Sequence, residues 1–245
     1  MPNDAGKACL HCGQILDGAY CRVCGQSAEV ERYSAKAFAR EVYHAIRKFD
    51  ITTTAVTVLE LLIRPGAFVR DYLAGKRVGF ANPVKFFFYS FIAEILVRTT
   101  INQLAGPNFV PDTQMTSTWV QMFDFAATVF WGVLWRLFFP SSGLNAAECA
   151  VSALFFQGQT TFLAVSLLLL TIPLRYFVPV TVAYLDLIDL IVTTTYSYFF
   201  AVSLFRDSIF RTVVKQTILL ILFFTALFAG IVGLMLIGFW PGHLN

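Results

Sequence analysis

The sequence predicts an all-α polytopic membrane helix bundle of about five transmembrane helices, preceded by a small polar head. Hydrophobic residues make up 57% of the 245 positions, against roughly 45–50% in an ordinary soluble domain. Charged residues make up only 13%, about half of the usual share. A soluble fold of this length would need more polar side chains to cover its surface, so most of the chain is expected to lie in a membrane.

The charged residues are unevenly distributed along the chain. Residues 1–85 contain 12 of the 18 Lys and Arg residues, so this part is predicted to be soluble or to lie at a membrane surface. The net charge of +3 is too small to suggest nucleic-acid binding. Residues 1–20 lack a charged start followed by an apolar segment. No signal peptide is therefore expected, and the head should stay in the reducing cytoplasm.

Four cysteines in this head form two knuckles of the type Cys-x-x-Cys-Gly: Cys9 with Cys12, and Cys21 with Cys24. Two thiolates separated by two residues can bind one ion while the backbone turns beneath it, and the following glycine permits the positive φ of such a turn. Four thiolates suit a tetrahedral, structural Zn²⁺. Residues 1–30 are therefore predicted to be a zinc ribbon, with a short β-hairpin over residues 13–20.

Two alternatives to zinc remain open, namely an iron centre of the rubredoxin type and a redox-active dithiol. Such a small fold is expected to depend on its metal for order. His11 lies inside the first knuckle, but four sulfur ligands already complete the site, so it is predicted not to be a ligand. Cys149 stands alone in an apolar stretch and is expected to be a buried small hydrophobic residue.

Residues 31–82 are predicted to be a basic amphipathic connector at the membrane surface. Apolar residues recur at helical spacing in residues 33–49, and further helices are predicted at about Thr53–Ile63 and Ala67–Ala74. Two roles are open for the basic residues of the connector. They could serve solely to orient the chain in the membrane, or they could contact anionic lipid headgroups or a partner. The residues proposed for such a contact are Arg64, Arg70, Lys76 and Arg77.

Residues 83–245 are predicted to form the transmembrane bundle, since a bilayer core requires about 20 apolar residues per helix. The predicted spans are Pro83–Leu104, Trp119–Phe139, Ala146–Leu170, Val182–Leu204 and Val214–Phe239. The third is the least regular, because Gln157-Gly-Gln-Thr-Thr161 interrupts it. Residues 105–118 lack Lys and Arg, whereas the connection after the fourth span has Arg206, Arg211 and Lys215. This alternation predicts a cytoplasmic N-terminus and a C-terminus outside.

Three of the predicted spans each have one polar face, which should point into the bundle rather than toward lipid. These faces comprise Ser90, Glu94 and Arg98 on the first span, Glu148, Ser152, Gln159 and Ser166 on the third, and Asp186, Asp189, Thr193, Tyr196 and Ser197 on the fourth. Glu94 and Arg98 have the spacing and order of a helical ion pair. The faces could hold helices together, line a cavity or transport path, or take part in catalysis.

Three short motifs follow the cysteine knuckles along the chain, in the order Arg64-Pro65-Gly66, Gly75-Lys76-Arg77 and Asn82-Pro83. In this order the motifs resemble the bacterial membrane family known as domain of unknown function 3667, mainly over residues 9–90. The resemblance implies a cytoplasmic zinc ribbon joined to several spans of the inner membrane, with no established activity. The family pattern has a Glu-His pair at the start of a middle span, where this chain has Glu148 and Cys149, so no histidine role is carried over.

Nothing in the sequence resembles a nucleophile with an orienting base, a phosphate-binding glycine loop or a histidine-rich metal site within the spans. The leading hypothesis is therefore a non-enzymatic membrane protein whose zinc ribbon docks a cytoplasmic partner, as a scaffold or a regulator. The alternative is a transporter or channel for a small solute or ion that uses the polar faces. A membrane enzyme acting on lipid comes third.

Overall fold

The computed structural model of the chain describes residues 7–30, 32–34, 51–105, 116–177 and 182–236. These residues are mostly helical, and the predicted helix within residues 33–49 lies almost wholly outside them. The helices are α1 (Ile51–Ile63), α2 (Pro65–Leu73), α3 (Pro83–Ala105), α4 (Thr116–Phe138), α5 (Ala146–Phe177), α6 (Val182–Phe205) and α7 (Ile209–Leu236), with a 3₁₀ turn at Pro140–Ser142.

Each of the five predicted spans coincides with one helix, from α3 to α7. Within the described residues, three segments are long and apolar enough to cross a membrane: Ala146–Leu174, Leu187–Phe205 and Ile209–Gly230. The apolar segment described in α4 is shorter, Ala126–Phe138. In α3, Lys85, Glu94 and Arg98 make the helix more polar than a typical span. Five crossings remain a prediction.

Helix α5 lies at the centre of the bundle and packs against α3, α4 and α6. It runs without interruption through Gln157–Thr161, the polar segment that interrupts the apolar pattern of the third predicted span. The reason is visible in the hydrogen bonds, because Thr160 and Thr161 both donate from their hydroxyls to the Gln157 carbonyl within the helix. The polar side chains thereby satisfy part of their own hydrogen-bonding capacity in an apolar environment.

Aromatic side chains fill the core between α4, α5 and α6. Trp135 is fully buried and stacks on Phe200 at a ring distance of 5.5 Å, while Phe139 stacks on Phe205 at 3.9 Å. Phe156 packs edge-on against Trp135 at 5.4 Å. Large rings at these positions bury much apolar area per residue, so this cluster holds the three helices together.

The connector helices pack on the bundle rather than lying free of it. Leu61 of α1 and Phe68 of α2 are buried, and Phe68 meets Phe155 of α5 edge-on at 5.3 Å. The Tyr196 hydroxyl of α6 donates to the Leu61 carbonyl at 3.0 Å. The amphipathic pattern predicted here therefore has a packing partner, because its apolar side covers the ends of α5 and α6.

The four-cysteine head, residues 7–30, contains two isolated antiparallel bridges and no regular strand. Ala8 pairs with Ile15 across the first knuckle, and Tyr20 pairs with Ser27 across the second. The prediction of a β-hairpin over residues 13–20 is therefore wrong. Each knuckle closes on itself, and this leaves the segment between the knuckles as an irregular connection.

Candidate functional site: the four-cysteine head and the polar cavity of the bundle

The four cysteine sulfurs converge on one point in the head. All four Sγ atoms lie within 4.8 Å of one another, with Cys9 at 3.6 Å from Cys24 and Cys12 at 3.5 Å from Cys21. Tetrahedral coordination with Zn–S bonds near 2.3 Å places sulfur atoms ~3.8 Å apart. The spacing therefore fits a four-thiolate metal site, although geometry alone does not distinguish zinc from iron. His11 is not part of this group.

Backbone amides favour the thiolate form of the first cysteine in each knuckle, whereas burial and the neighbouring sulfurs raise the pKa of Cys12 and Cys24. The N–H groups of Cys24 and Val23 lower the pKa of the Cys21 thiol to about 7. In the first knuckle, the N–H of Cys12 lowers the pKa of Cys9 in the same way. Both knuckle glycines have positive φ, 79° at Gly13 and 76° at Gly25, as the sequence predicted. These turns aim the amides at the sulfurs, which prepares the site for a cation.

The segment that follows the head is anchored to the start of α5. Arg32 donates to both carboxylate oxygens of Glu148, at 2.6 and 2.8 Å, and to the Gly143 carbonyl. Glu148 also accepts from the Asn145 amide at 2.8 Å, while Asn145 Oδ1 accepts from the Glu148 amide at 3.0 Å. Asn145 and Glu148 thus form a capping box, and the same carboxylate binds the head segment.

Glu148 therefore caps the start of α5, whereas the sequence predicted that it lies on a polar face within the third span. The Asn-x-x-Glu spacing in the sequence could have predicted this cap, because an N-cap residue three positions before a glutamate is typical of a helix start. The partner Arg32 lies 116 residues away and could not be found from the sequence. The Glu148 interaction raises the pKa of Arg32, consistent with a bidentate ion pair.

The four basic residues proposed for lipid or partner contact all have partners within the chain. Arg70 donates to the carbonyls of Ser203 and Leu204 at the end of α6, and burial lowers its pKa. The remaining pairs are Arg64 with Glu60, Lys76 with Asp71 at 3.1 Å, and Arg77 with the Tyr33 ring at 4.1 Å. These contacts stabilise the connector, and a role in lipid or partner binding stays a prediction.

A polar cavity of about 320 Å³ opens midway along the bundle. Its polar lining residues are Glu94, Arg98, Gln157, Thr160, Thr161, Asp189, Thr193, Thr194 and Ser197. Four aromatic residues complete the wall: Trp131, Phe156, Phe223 and Phe224. The Arg98 guanidinium donates to the Glu94 carboxylate at 2.9 Å, so the ion pair predicted from the spacing is formed.

The polar faces predicted for the first and fourth spans meet at this cavity, but that of the third span does not. Helix α5 instead contributes Gln157, Thr160 and Thr161. Gln159 points to another side of α5, where it is buried and neither atom of its amide has a hydrogen-bond partner in the described structure. The side chain of Asp186 lies outside the described residues.

The fold and these sites together define a mostly helical protein with three segments long and apolar enough to span a membrane and a head that could hold a metal. The family model described as "Protein of unknown function (DUF3667)" matches residues 55–93, so the resemblance drawn from the motifs is shown for this segment. No curated protein and no solved structure matches the chain.

The matched segment lies where the head, the connector and the bundle meet. The Gly66 amide donates to Ser203 Oγ of α6 at 2.9 Å. At the other end of α2, Gly75 lies against Leu10 of the head, and the two flank a cavity of about 400 Å³. Close packing therefore accounts for the two glycines of these motifs, Gly66 and Gly75.

Proposed function

We propose that this chain is a non-enzymatic integral membrane protein whose zinc-bearing head docks a cytoplasmic protein and scaffolds or regulates it. The observation that carries the proposal is the closed group of four cysteine sulfurs on a head that is anchored to the bundle. A metal with four protein ligands has no open position for a substrate, so its role is to hold the head in shape.

The head contacts the connector and leaves large apolar side chains open to solvent. Leu10 touches Gly75 but is still 46% exposed, and Ile15, Tyr20 and Val23 are 65%, 66% and 70% exposed. Large apolar side chains that are exposed on a domain of this size are typical of a surface that binds protein. The proposed partner is a cytoplasmic protein with a complementary apolar surface that packs on these three side chains.

We further propose a location in the cell inner membrane, with five spans, a cytoplasmic N-terminus and an outer C-terminus. Arg70 bonds to the end of α6, so the basic connector lies on the same side as Arg206, Arg211 and Lys215. Basic residues on one side favour a cytoplasmic placement of that side. A reporter active only in the cytoplasm should work when fused before residue 7 and fail when fused after residue 245; the reverse pattern would contradict this orientation.

Docking can be tested by photo-crosslinking in the full-length chain in cells. A photoreactive amino acid at Val23 should capture one defined partner, and the same probe at Ser141, which is exposed in the turn before α5, should not. Cys21→Ser should abolish the capture, because the head loses its metal, whereas Cys149→Ser, which changes a buried cysteine outside the cluster, should preserve it. Equal capture in both cysteine variants, or none from Val23, would refute the docking proposal.

The second candidate function is transport of a small solute or ion, and the midway polar cavity supports it. Charged side chains are costly in the hydrocarbon region and usually mark a functional path there. In this case, Glu94→Gln or Asp189→Asn should change solute flux into proteoliposomes while leaving the amount of reconstituted protein unchanged. Normal flux in both variants would exclude this function.

A further inference from the structure

We infer that the head is a metal-dependent latch on the bundle. It packs on the connector and on the start of α5 when its four cysteines hold a metal ion, and it leaves them when the metal is lost. The inference rests on the metal site of the proposed function, but it does not depend on a docked partner. Three features of the molecule support it: the small core of the head, the position of its contact residues and the contacts that follow it.

The head has almost no core apart from its cysteines. Within the described residues 7–30, the buried side chains are those of Cys9, Cys21 and Gln26, and the two cysteines belong to the candidate metal site. The large apolar side chains of the head are exposed instead. A fold this small and without an apolar core depends on its metal for its shape, and it loses that shape when the metal leaves.

The head touches the connector through residues of the knuckles or next to them. Leu10 lies between the two cysteines of the first knuckle, and a Cβ atom added to Gly75 would come within 2.8 Å of Leu10 Cδ1. Gln26 directly follows the second knuckle, and its side-chain carbonyl accepts a hydrogen bond from the Arg77 amide at 3.4 Å. Because a bound metal fixes the backbone of both knuckles, it also places the two residues that make these contacts.

The segment that leaves the head extends the contact to the bundle. Arg32 forms a bidentate ion pair with Glu148, whose side chain is only 5% exposed. The next residue, Tyr33, is buried, and its carbonyl accepts from Asn145 Nδ2 at 2.8 Å. Asn145 and Glu148 are also the capping box of α5. The head is therefore attached to the residues that begin the central helix of the bundle.

Metal binding and attachment of the head are coupled in both directions. If the metal strengthens the contact between the head and the bundle, that contact strengthens metal binding by the same factor. Couplings between two sites are typically about 5–150-fold. A change at Glu148, which lies far along the chain from the cysteines, should therefore change the metal affinity of the head.

Release of the head uncovers an apolar surface at this end of the bundle. Leu73 and Ala74 of the connector and Leu144 before α5 line the cavity of about 400 Å³ together with Leu10 and Val30 of the head. When the head leaves, the first three lose the cover that the head provides. The latch therefore makes the exposure of this surface depend on the supply of metal.

Hydrogen exchange of the full-length protein in nanodiscs tests the effect of the metal on the bundle. Removal of the metal with EDTA should speed amide exchange about tenfold or more across residues 142–149, which include the capping box, and added Zn²⁺ should restore the slow rate. Residues 217–222, in the apolar segment of α7, should exchange equally in both states. In Cys21→Ser, exchange across 142–149 should be fast without EDTA. Equal exchange with and without metal would overturn the inference.

Metal affinity tests the reverse effect. Glu148→Gln removes the ion pair with Arg32 and keeps the helix cap, because glutamine also fits a capping box. This variant should bind Zn²⁺ about fivefold more weakly, or weaker still, in competition with a fluorescent chelator. Glu60→Gln is the matched control, because it removes the carboxylate of an ion pair with Arg64 within the connector, and it should bind Zn²⁺ as the wild type does. Equal affinity in both variants would overturn the coupling.

A second variant lifts the head at its other contact, so the test does not depend on the folding of Glu148→Gln. The methyl group of Gly75→Ala would press on Leu10 and should also weaken Zn²⁺ binding. Its control is Gly79→Ala, because Gly79 has a positive φ as well, but a Cβ atom there meets nothing within 4 Å. Wild-type Zn²⁺ affinity in Gly75→Ala would overturn the coupling.

The latch and the docking of a partner can fail separately. Metal-dependent exchange across residues 142–149 without photo-capture from Val23 would support the latch and refute docking. Capture from Val23 together with exchange that does not respond to the metal would refute the latch and leave docking supported.

Discussion

The close approach of α2 to α6 leaves no room for a side chain at Gly66. A Cβ atom added to Gly66 would overlap the backbone carbonyl of Ser203 and the amide of Leu204. Backbone on both sides of the contact cannot move without displacing a whole helix. The Gly66→Ala variant therefore has to separate α2 from the end of α6.

The expected magnitude combines two effects. Overpacking of a close contact costs about 1–3 kcal/mol. Separation also weakens the hydrogen bond from the Gly66 amide to Ser203 Oγ, now at 2.9 Å, and the contacts of Arg70 with the same helix end; one such bond contributes about 1 kcal/mol. The free energy of unfolding should fall by about 2–4 kcal/mol, or roughly 5–15 °C in Tm for a protein of this size.

Thermal unfolding of the detergent-purified protein, followed by tryptophan fluorescence, would measure this change. Gly230→Ala is the matched control, because Gly230 is also helical but a Cβ there meets nothing within 4 Å. Alanine is intrinsically better than glycine in a helix by about 1 kcal/mol, so this control should be neutral or slightly stabilised. A Gly66→Ala variant as stable as the control would refute the packing argument.

Three further predictions concern the head and the connection after α6. Elemental analysis of Cys21→Ser should show loss of the bound metal, which is expected to be zinc, whereas Cys149→Ser should retain it. A wild-type protein without metal would contradict the prediction of a metal site. Arg32→Gln should release the head and raise its proteolysis rate severalfold, while Arg22→Gln, which breaks an exposed ion pair, should not. The Ser208 amide and Lys215 lower the pKa of Asp207 below its ordinary 3.8. The ionised Asp207 carboxylate therefore stabilises the fold above about pH 4, and this contribution is lost as the pH falls further. The Tm difference between wild type and Asp207→Asn should shrink below about pH 4. A Tm difference that does not change with pH would rule out this contribution.

Features that depend only on residues close together in the sequence could be predicted from it. The two cysteine knuckles span sixteen residues, so their spacing alone indicated a metal site and the positive φ at Gly13 and Gly25. The Glu94–Arg98 pair also follows from helix geometry, since side chains four positions apart lie on one face. The helices could be predicted from apolar length for the same reason, and three of them contain a segment long and apolar enough to span a membrane.

Other local patterns were ambiguous, because more than one structure satisfies them. The eight residues between the knuckles suited a hairpin, yet each knuckle closes by its own bridge. The polar face of α5 through Glu148 and Gln159 suited either contacts between helices or a cavity wall, and the cavity is lined instead by Gln157, Thr160 and Thr161. A helical period shows which residues share a face, and it does not show which neighbour that face meets.

The sequence by itself determined a mostly helical chain with segments apolar enough to span a membrane and a four-cysteine head, because composition, helical period and ligand spacing are local properties. Only the tertiary structure decided the contacts that join the parts: Arg32 with Glu148, 116 residues apart, and Gly66 with Ser203, 137 residues apart. It also decided that three separate helices bring Glu94, Thr161 and Asp189 to one cavity. These contacts depend on the rotation and depth at which helices pack, and those are set by the shapes of all neighbouring side chains together.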